Sequence, residues 1–228
     1  MTGTVWSLIL ALGVIGLVVF GVAGKSNSLY FESRNAQRCS MSLSRMEDAA
    51  LLDSFPGEYE PDCKKDFIKV KRPRKKEDID YLKLQLAEAV RKCWTKTGGC
   101  QPDPYVNNAF STGWYCMICS EIQFEKYIPD KMKVTEISDV YNYMKSKSPQ
   151  ISDKSYFHYM SAPEGCNEDN FLEFDDWESI DTNQTYFLMW KYDNAYSFFN
   201  KGPRVFFRLV SQDNFEAENL ECRGEIYQ

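Results

Sequence analysis

Residues 4–23, TVWSLILALGVIGLVVFGVA, form an unbroken run of twenty residues without a charge. A helix rises about 1.5 Å per residue, so a run of this length covers about 30 Å of hydrocarbon and predicts one membrane-spanning helix. Trp6 suits the interface at one end and Lys25 follows the other. A cleaved secretory signal is the competing reading, with Gly21 and Ala23 as small residues ahead of a cut. The run is longer than a usual signal core, and no basic residue precedes it, which favours an anchor. The expected organisation is an anchor at 1–24, a Ser- and Asn-bearing tether at 25–38, and one domain at 39–228.

Within that domain, 67–71 (FIKVK) alternates as a half-buried or edge strand does. Residues 78–95 read as a helix, with acids in the first turn and an apolar stripe of Ile79, Leu82, Leu86, Ala89, Val90 and Cys93. Trp94 and Gly98-Gly99 are expected to end it. A second helix is predicted over 136–147, with Thr135 as N-cap and Ile137, Val140, Tyr141 and Met144 on one side. Strands are predicted at 115–124, 156–160, 185–192 and 204–210, each rich in β-branched or aromatic residues, with a turn at 200–203. Two helices among irregularly spaced strands predict an α+β domain with a mixed or antiparallel sheet.

Charge changes the picture at two places. The chain carries a net charge of −6, which argues against nucleic acid as a partner. Against that balance, 64–76 holds eight Lys or Arg and a single acid, Asp66. It reads either as a patch for anionic lipid heads or surface polymers, or as a solvated strand and loop. Conversely, 164–181 holds eight acids and no Lys or Arg. Its oxygen spacing fits no EF-hand, so a solvated acidic loop is expected rather than a calcium site.

Cysteine is the main chemical signal. Cys39, Cys63, Cys93, Cys100, Cys116, Cys119, Cys166 and Cys222 all follow the apolar run. A disulfide framework with open pairing is the leading expectation. Zinc on Cys93, Cys100, Cys116 and Cys119, or a redox-active pair Cys116 and Cys119, are the alternatives. In an alternating strand, Cys116, Ile118, Ser120, Ile122 and Phe124 share one face and Cys119 the other, which disfavours zinc, and the residues after Cys119 do not read as the helix whose N-terminus a redox-active pair occupies. The disulfides and the glycosylation sequon at Asn183 favour a domain outside the cytoplasm, although Lys25, Arg34 and Arg38 after the helix point the other way.

Catalytic motifs are absent from the sequence. There is no Gly-x-Ser-x-Gly, His-Glu-x-x-His, phosphate loop or dinucleotide fingerprint. The one histidine, His158, sits in an aromatic run and reads as a packed or surface residue. Paired carboxylates for glycoside hydrolysis need a separation that sequence does not set. No catalytic residue, metal or cofactor is expected. The expected role is contact, with the membrane as one partner through the N-terminal helix and with envelope proteins or surface polymers as others. A membrane-bound thiol-disulfide protein is the alternative.

The order of features resembles a family of single-anchor membrane proteins from small-genome (DPANN-type) archaea. The shared elements are the N-terminal helix, Arg38-Cys39-Ser40-Met41-Ser42-Leu43-Ser44-Arg45, and the Cys63-Lys64-Lys65 step into a basic strand. Leu86 to Trp94 (LAEAVRKCW), Cys116-Met117-Ile118-Cys119-Ser120, and a late strand at 205–209 followed by Cys222 continue the likeness. The resemblance covers about half the chain. It implies membrane anchoring and an outward-facing domain, and brings no activity. The absence of basic residues before the helix departs from the family's pattern.

Overall fold

A computed structural model describes residues 36–39, 41–42, 63–75, 78–98, 114–161, 172–175, 177–193 and 204–215. The expected anchor at 1–24, most of the tether and the turn at 200–203 lie outside them; among the described residues no helix is long and apolar enough to cross a membrane. After helical backbone at 36–39 and 41–42 come β1 (Asp66–Val70), α1 (Ile79–Lys96), β2 (Trp114–Phe124) and a π-helical turn (Ile128–Met132). Then follow β3 (Glu136–Ser138), α2 (Val140–Ser146), α3 (Tyr156–Ser161), β4 (Leu172–Asp175), β5 (Ser179–Asp181), β6 (Tyr186–Asp193) and β7 (Arg204–Ser211). The fold is α+β. Its main sheet is mixed, with order β1-β2-β6-β7-β4 and parallel pairs at both edges, and β3 and β5 form a second, antiparallel pair.

The α1 helix forms where its stripe predicts. The Asp78 carboxylate accepts the Tyr81 N–H at 3.1 Å, capping the first turn. Leu82, Leu86, Ala89, Val90 and Cys93 are buried against the sheet, and each fully buried leucine contributes about 1.5–3 kcal/mol. Ile79 is exposed, so the stripe begins one turn later than the sequence implies. Trp94 continues the helix as a buried residue. The stop lies beyond it, where Thr97 donates its N–H to Cys93 O at 3.0 Å and Gly98 turns left-handed at φ 80°.

One irregularity sets the faces of the sheet. The β2–β6 register shifts between Ile118 and Ser120, which leaves Cys119 as an extra residue. Cys116 and Ile118 therefore face away from α1, in a small cluster with Met189 and Val210. Met117, Cys119, Ile122 and Phe124 all join the helix-side core. The unbroken alternation expected from sequence is corrected here: Cys116 and Cys119 do lie on opposite faces, but Ile122 and Phe124 side with Cys119.

Three further expectations are corrected. Residues 136–138 are strand rather than helix, because Ile137 pairs with Ile180 and both are fully buried. Thr135 is no cap; its carbonyl accepts the Thr182 N–H at 2.9 Å, and Asp139 in a left-handed conformation (φ 60°) separates β3 from α2. Residues 156–160 are helical, since Tyr156 and Met160, four apart, are the fully buried pair. The acidic stretch at 164–181 is not all loop, for β4 and β5 occupy part of it.

Candidate functional site

Several sequence-singled residues prove structural or surface in role. Cys39 bonds Cys63, with Cα atoms 4.6 Å apart, and Cys93 bonds Cys119 at 5.4 Å. The latter bond ties the end of α1 to β2. Cys116 is also disulfide-bonded, to a partner outside the described residues, and Cys100, Cys166 and Cys222 lie outside them too. The alternative redox pair, Cys116 with Cys119, is therefore not formed, and a four-cysteine zinc site through the same residues is not assembled. The physical reason is the strand: the two thiols leave on opposite faces, and the Cys119 sulfur is within reach of α1.

His158 is exposed on α3, where its N–H donates to the Ser155 Oγ at 3.2 Å. Asn183 is exposed in the β5–β6 turn, its N–H and its Nδ2 each donating to Asp181 Oδ1 at 2.9 Å. Among the described residues no three His, Cys, Asp or Glu side chains gather as metal ligands. Lys96 is an unforeseen buried charge: its ammonium donates to Lys64 O, to Asp66 Oδ2 at 3.2 Å and to Cys119 O at 3.4 Å. Those acceptors saturate it, which marks a structural tie between α1 and β1.

The basic run gives a different result. Parallel pairing of β1 with β2 aligns Val70 with Phe124, so the loop after β1 meets the turn after β2. Glu125 holds both: its N–H donates to Val70 O and its carboxylate accepts the Arg72 N–H, each at 2.9 Å. From the other side Gln85 of α1 clasps Lys71, accepting its N–H and donating to its carbonyl at 2.8 Å apiece. Pro73 is buried between these clamps, which leaves Arg72 and Arg74 on the outside, two positions apart.

The second wall is the π-helical turn. Ile128 is fully buried and its N–H donates to Glu125 O at 2.8 Å, while Lys133 closes the turn in a left-handed conformation at φ 60°. Tyr127 is thereby brought under Arg72, whose guanidinium carbon lies 4.5 Å from the ring centroid. Arg72, Pro73, Arg74, Tyr127 and Met132 line a groove of about 370 Å³. No protein family, curated protein or solved structure matches this chain.

The groove is strongly positive. Residues 71–75 and 125–133 carry seven Lys or Arg against Glu125 and Asp130, a local charge of +5 in a chain of −6. Neither the Arg72 nor the Arg74 guanidinium has a carboxylate partner among the described residues. Chemically the site can hold an anion with an uncharged body: two guanidinium groups beside the exposed Tyr127 ring, with the buried Pro73 and Met132 completing the lining. Sequence reasoning found the basic run but missed Tyr127 and Met132, whose part in the groove follows from the strand register rather than from any local pattern.

Proposed function

We propose that this protein is a membrane-anchored domain held outside the cytoplasm, acting by contact as a surface or envelope binding component. The observation that carries the binding reading is the groove, in which Arg72 and Arg74 are exposed and neither guanidinium is paired with a carboxylate among the described residues. A solvated loop needs no clamps, yet Gln85 and Glu125 pin this one from two sides. Disulfides at Cys39–Cys63 and Cys93–Cys119 favour an oxidising compartment. The apolar run at 4–23 and the resemblance to single-anchor archaeal proteins favour the anchor.

The test is the full chain recovered from membranes. It should stay in the pellet after alkaline carbonate extraction, and its intact mass should rise by two hydrogens per bridge on reduction. Full release by carbonate, or eight free thiols in natively purified protein, would overturn the anchored, oxidised reading.

A further inference from the structure

We propose that the groove binds a carboxylate-bearing acidic glycan lying beyond the membrane, and not the headgroups of the bilayer that holds the anchor. This rests on the anchored reading above. The chain from the tether is fastened at Cys39 to Cys63, just before the start of β1. The groove opens just past the other end of that strand. Five strand residues at about 3.3 Å each separate the two by about 16 Å. The Cys39–Cys63 bond and the groove thus lie at opposite ends of β1.

The side chains argue for a carboxylate on a ring. The Arg72 guanidinium carbon lies 4.5 Å from the Tyr127 ring centroid, and its N–H fork suits a bidentate carboxylate, as it would a phosphate. Arg74, displaced by the buried Pro73, offers a second fork on the same side. The exposed Tyr127 ring presents aromatic surface of the kind a pyranose C–H face packs against, and the volume of about 370 Å³ lies in the range of small-molecule sites, about 300–1,000 Å³. Lys71, Lys75, Lys126, Lys131 and Lys133 extend the positive field past the groove, so a polymer with repeated charges gains more than a lone anion.

The test uses the full chain in phosphatidylcholine discs, titrated with fluorescent polygalacturonate and followed by anisotropy. Binding is expected, displaced by trigalacturonate and not by glycerol phosphate at equal concentration. The double variant Arg72→Gln/Arg74→Gln should bind at least about tenfold more weakly, while Lys154→Gln, at an exposed bend that does not line the groove, should bind as the parent does. Intact bridges by mass and an unchanged circular dichroism spectrum would show that the double variant is folded. Equal displacement by glycerol phosphate would assign the groove to lipid headgroups or phosphate and overturn the glycan proposal. Polyphosphate bound through the same arginines, with polygalacturonate ignored, would overturn it too while leaving an anion-contact function standing. Binding of neither polyanion would remove the groove as a contact site altogether, whatever the carbonate and mass measurements say of the anchor.

Discussion

The Tyr156 hydroxyl donates to the Glu88 carboxylate at 2.5 Å, joining α3 to the middle of α1. The other Glu88 oxygen accepts from Arg91 Nε at 2.8 Å, one turn along the same helix. A half-buried carboxylate with two donors is stabilised by both. Tyr156→Phe removes one donor from a charged acceptor and should cost about 1–3 kcal/mol in urea unfolding. A loss below about 0.5 kcal/mol would show that water replaces the phenol without penalty.

The same contact sets an alkaline limit on stability. Burial, the hydrogen bond to Glu88 and the Glu88 charge hold the Tyr156 phenol above its ordinary range. Burial, then Asp80, Asp78 and Glu88, raise Tyr143. Burial raises Tyr186, opposed by the hydrogen bond from the Asp181 N–H. Each group stays protonated in the folded chain after its unfolded counterpart, near pH 10, begins to ionise. The unfolded state then binds fewer protons, so stability is fully present below about pH 10 and falls as pH rises beyond it. Tyr156→Phe should make that fall shallower; identical slopes for parent and variant would refute the assignment.

What the sequence made legible follows from which signals are local. Leu82, Leu86, Ala89, Val90 and Cys93 repeat at helical spacing behind an Asp78 cap, and α1 forms there. Residues 136–147 misled because Ile137, Val140 and Met144 also fit that spacing, although Ile137 belongs to β3 and is held by Ile180, 43 positions away. At 156–160 aromatic content outweighed a signal that was present: Ser155 accepts the N–H three residues on, as an N-cap does. The shift at Cys119 has no signature in the residues around it, and it moves Ile122 and Phe124 to the other face. The groove shows the same division. Its arginines are visible as a basic run, whereas Tyr127 joins them only through the Val70–Phe124 register.

Removal of the Cys93–Cys119 bond, as Cys93→Ala/Cys119→Ala, frees a loop of sequence separation 26. The chain-entropy relation gives about 3–4 kcal/mol for a loop of that length. The variant should unfold at lower urea with its sheet content unchanged by circular dichroism at zero denaturant. Equal midpoints for the oxidised parent and the variant would mean that the bond adds nothing to the packing of α1 on β2.

Lys96→Met keeps the stem and deletes the ammonium, leaving the Lys64 and Cys119 carbonyls and the Asp66 carboxylate without that donor. Lys96 is 4% exposed, so water does not readily take its place. A loss of about 1–3 kcal/mol is expected in urea unfolding. Two of the three acceptors are backbone carbonyls, and only the half-exposed Asp66 forms an ion pair that salt screens, so most of that loss should persist at high salt. Disappearance of the difference in 1 M NaCl would instead assign Lys96 to screened surface electrostatics.

Asn183 tests the side of the membrane independently of sulfur. It begins an Asn183-Gln184-Thr185 sequon in the exposed β5–β6 turn, with both its N–H and its amide nitrogen bonded to Asp181. The turn projects Asn183 into solvent, where a glycosylating enzyme reaches it, and the amide contact with Asp181 is one that solvent can replace. In a host that glycosylates exported proteins, the full chain should carry a glycan mass that Asn183→Gln abolishes. Folding should survive the substitution, because no core residue packs on that side chain. An unmodified Asn183 in chain that is demonstrably exported and folded would leave accessibility wanting. An unmodified Asn183 together with reduced cysteines would place the domain in the cytoplasm and overturn the orientation on which the glycan-facing groove depends.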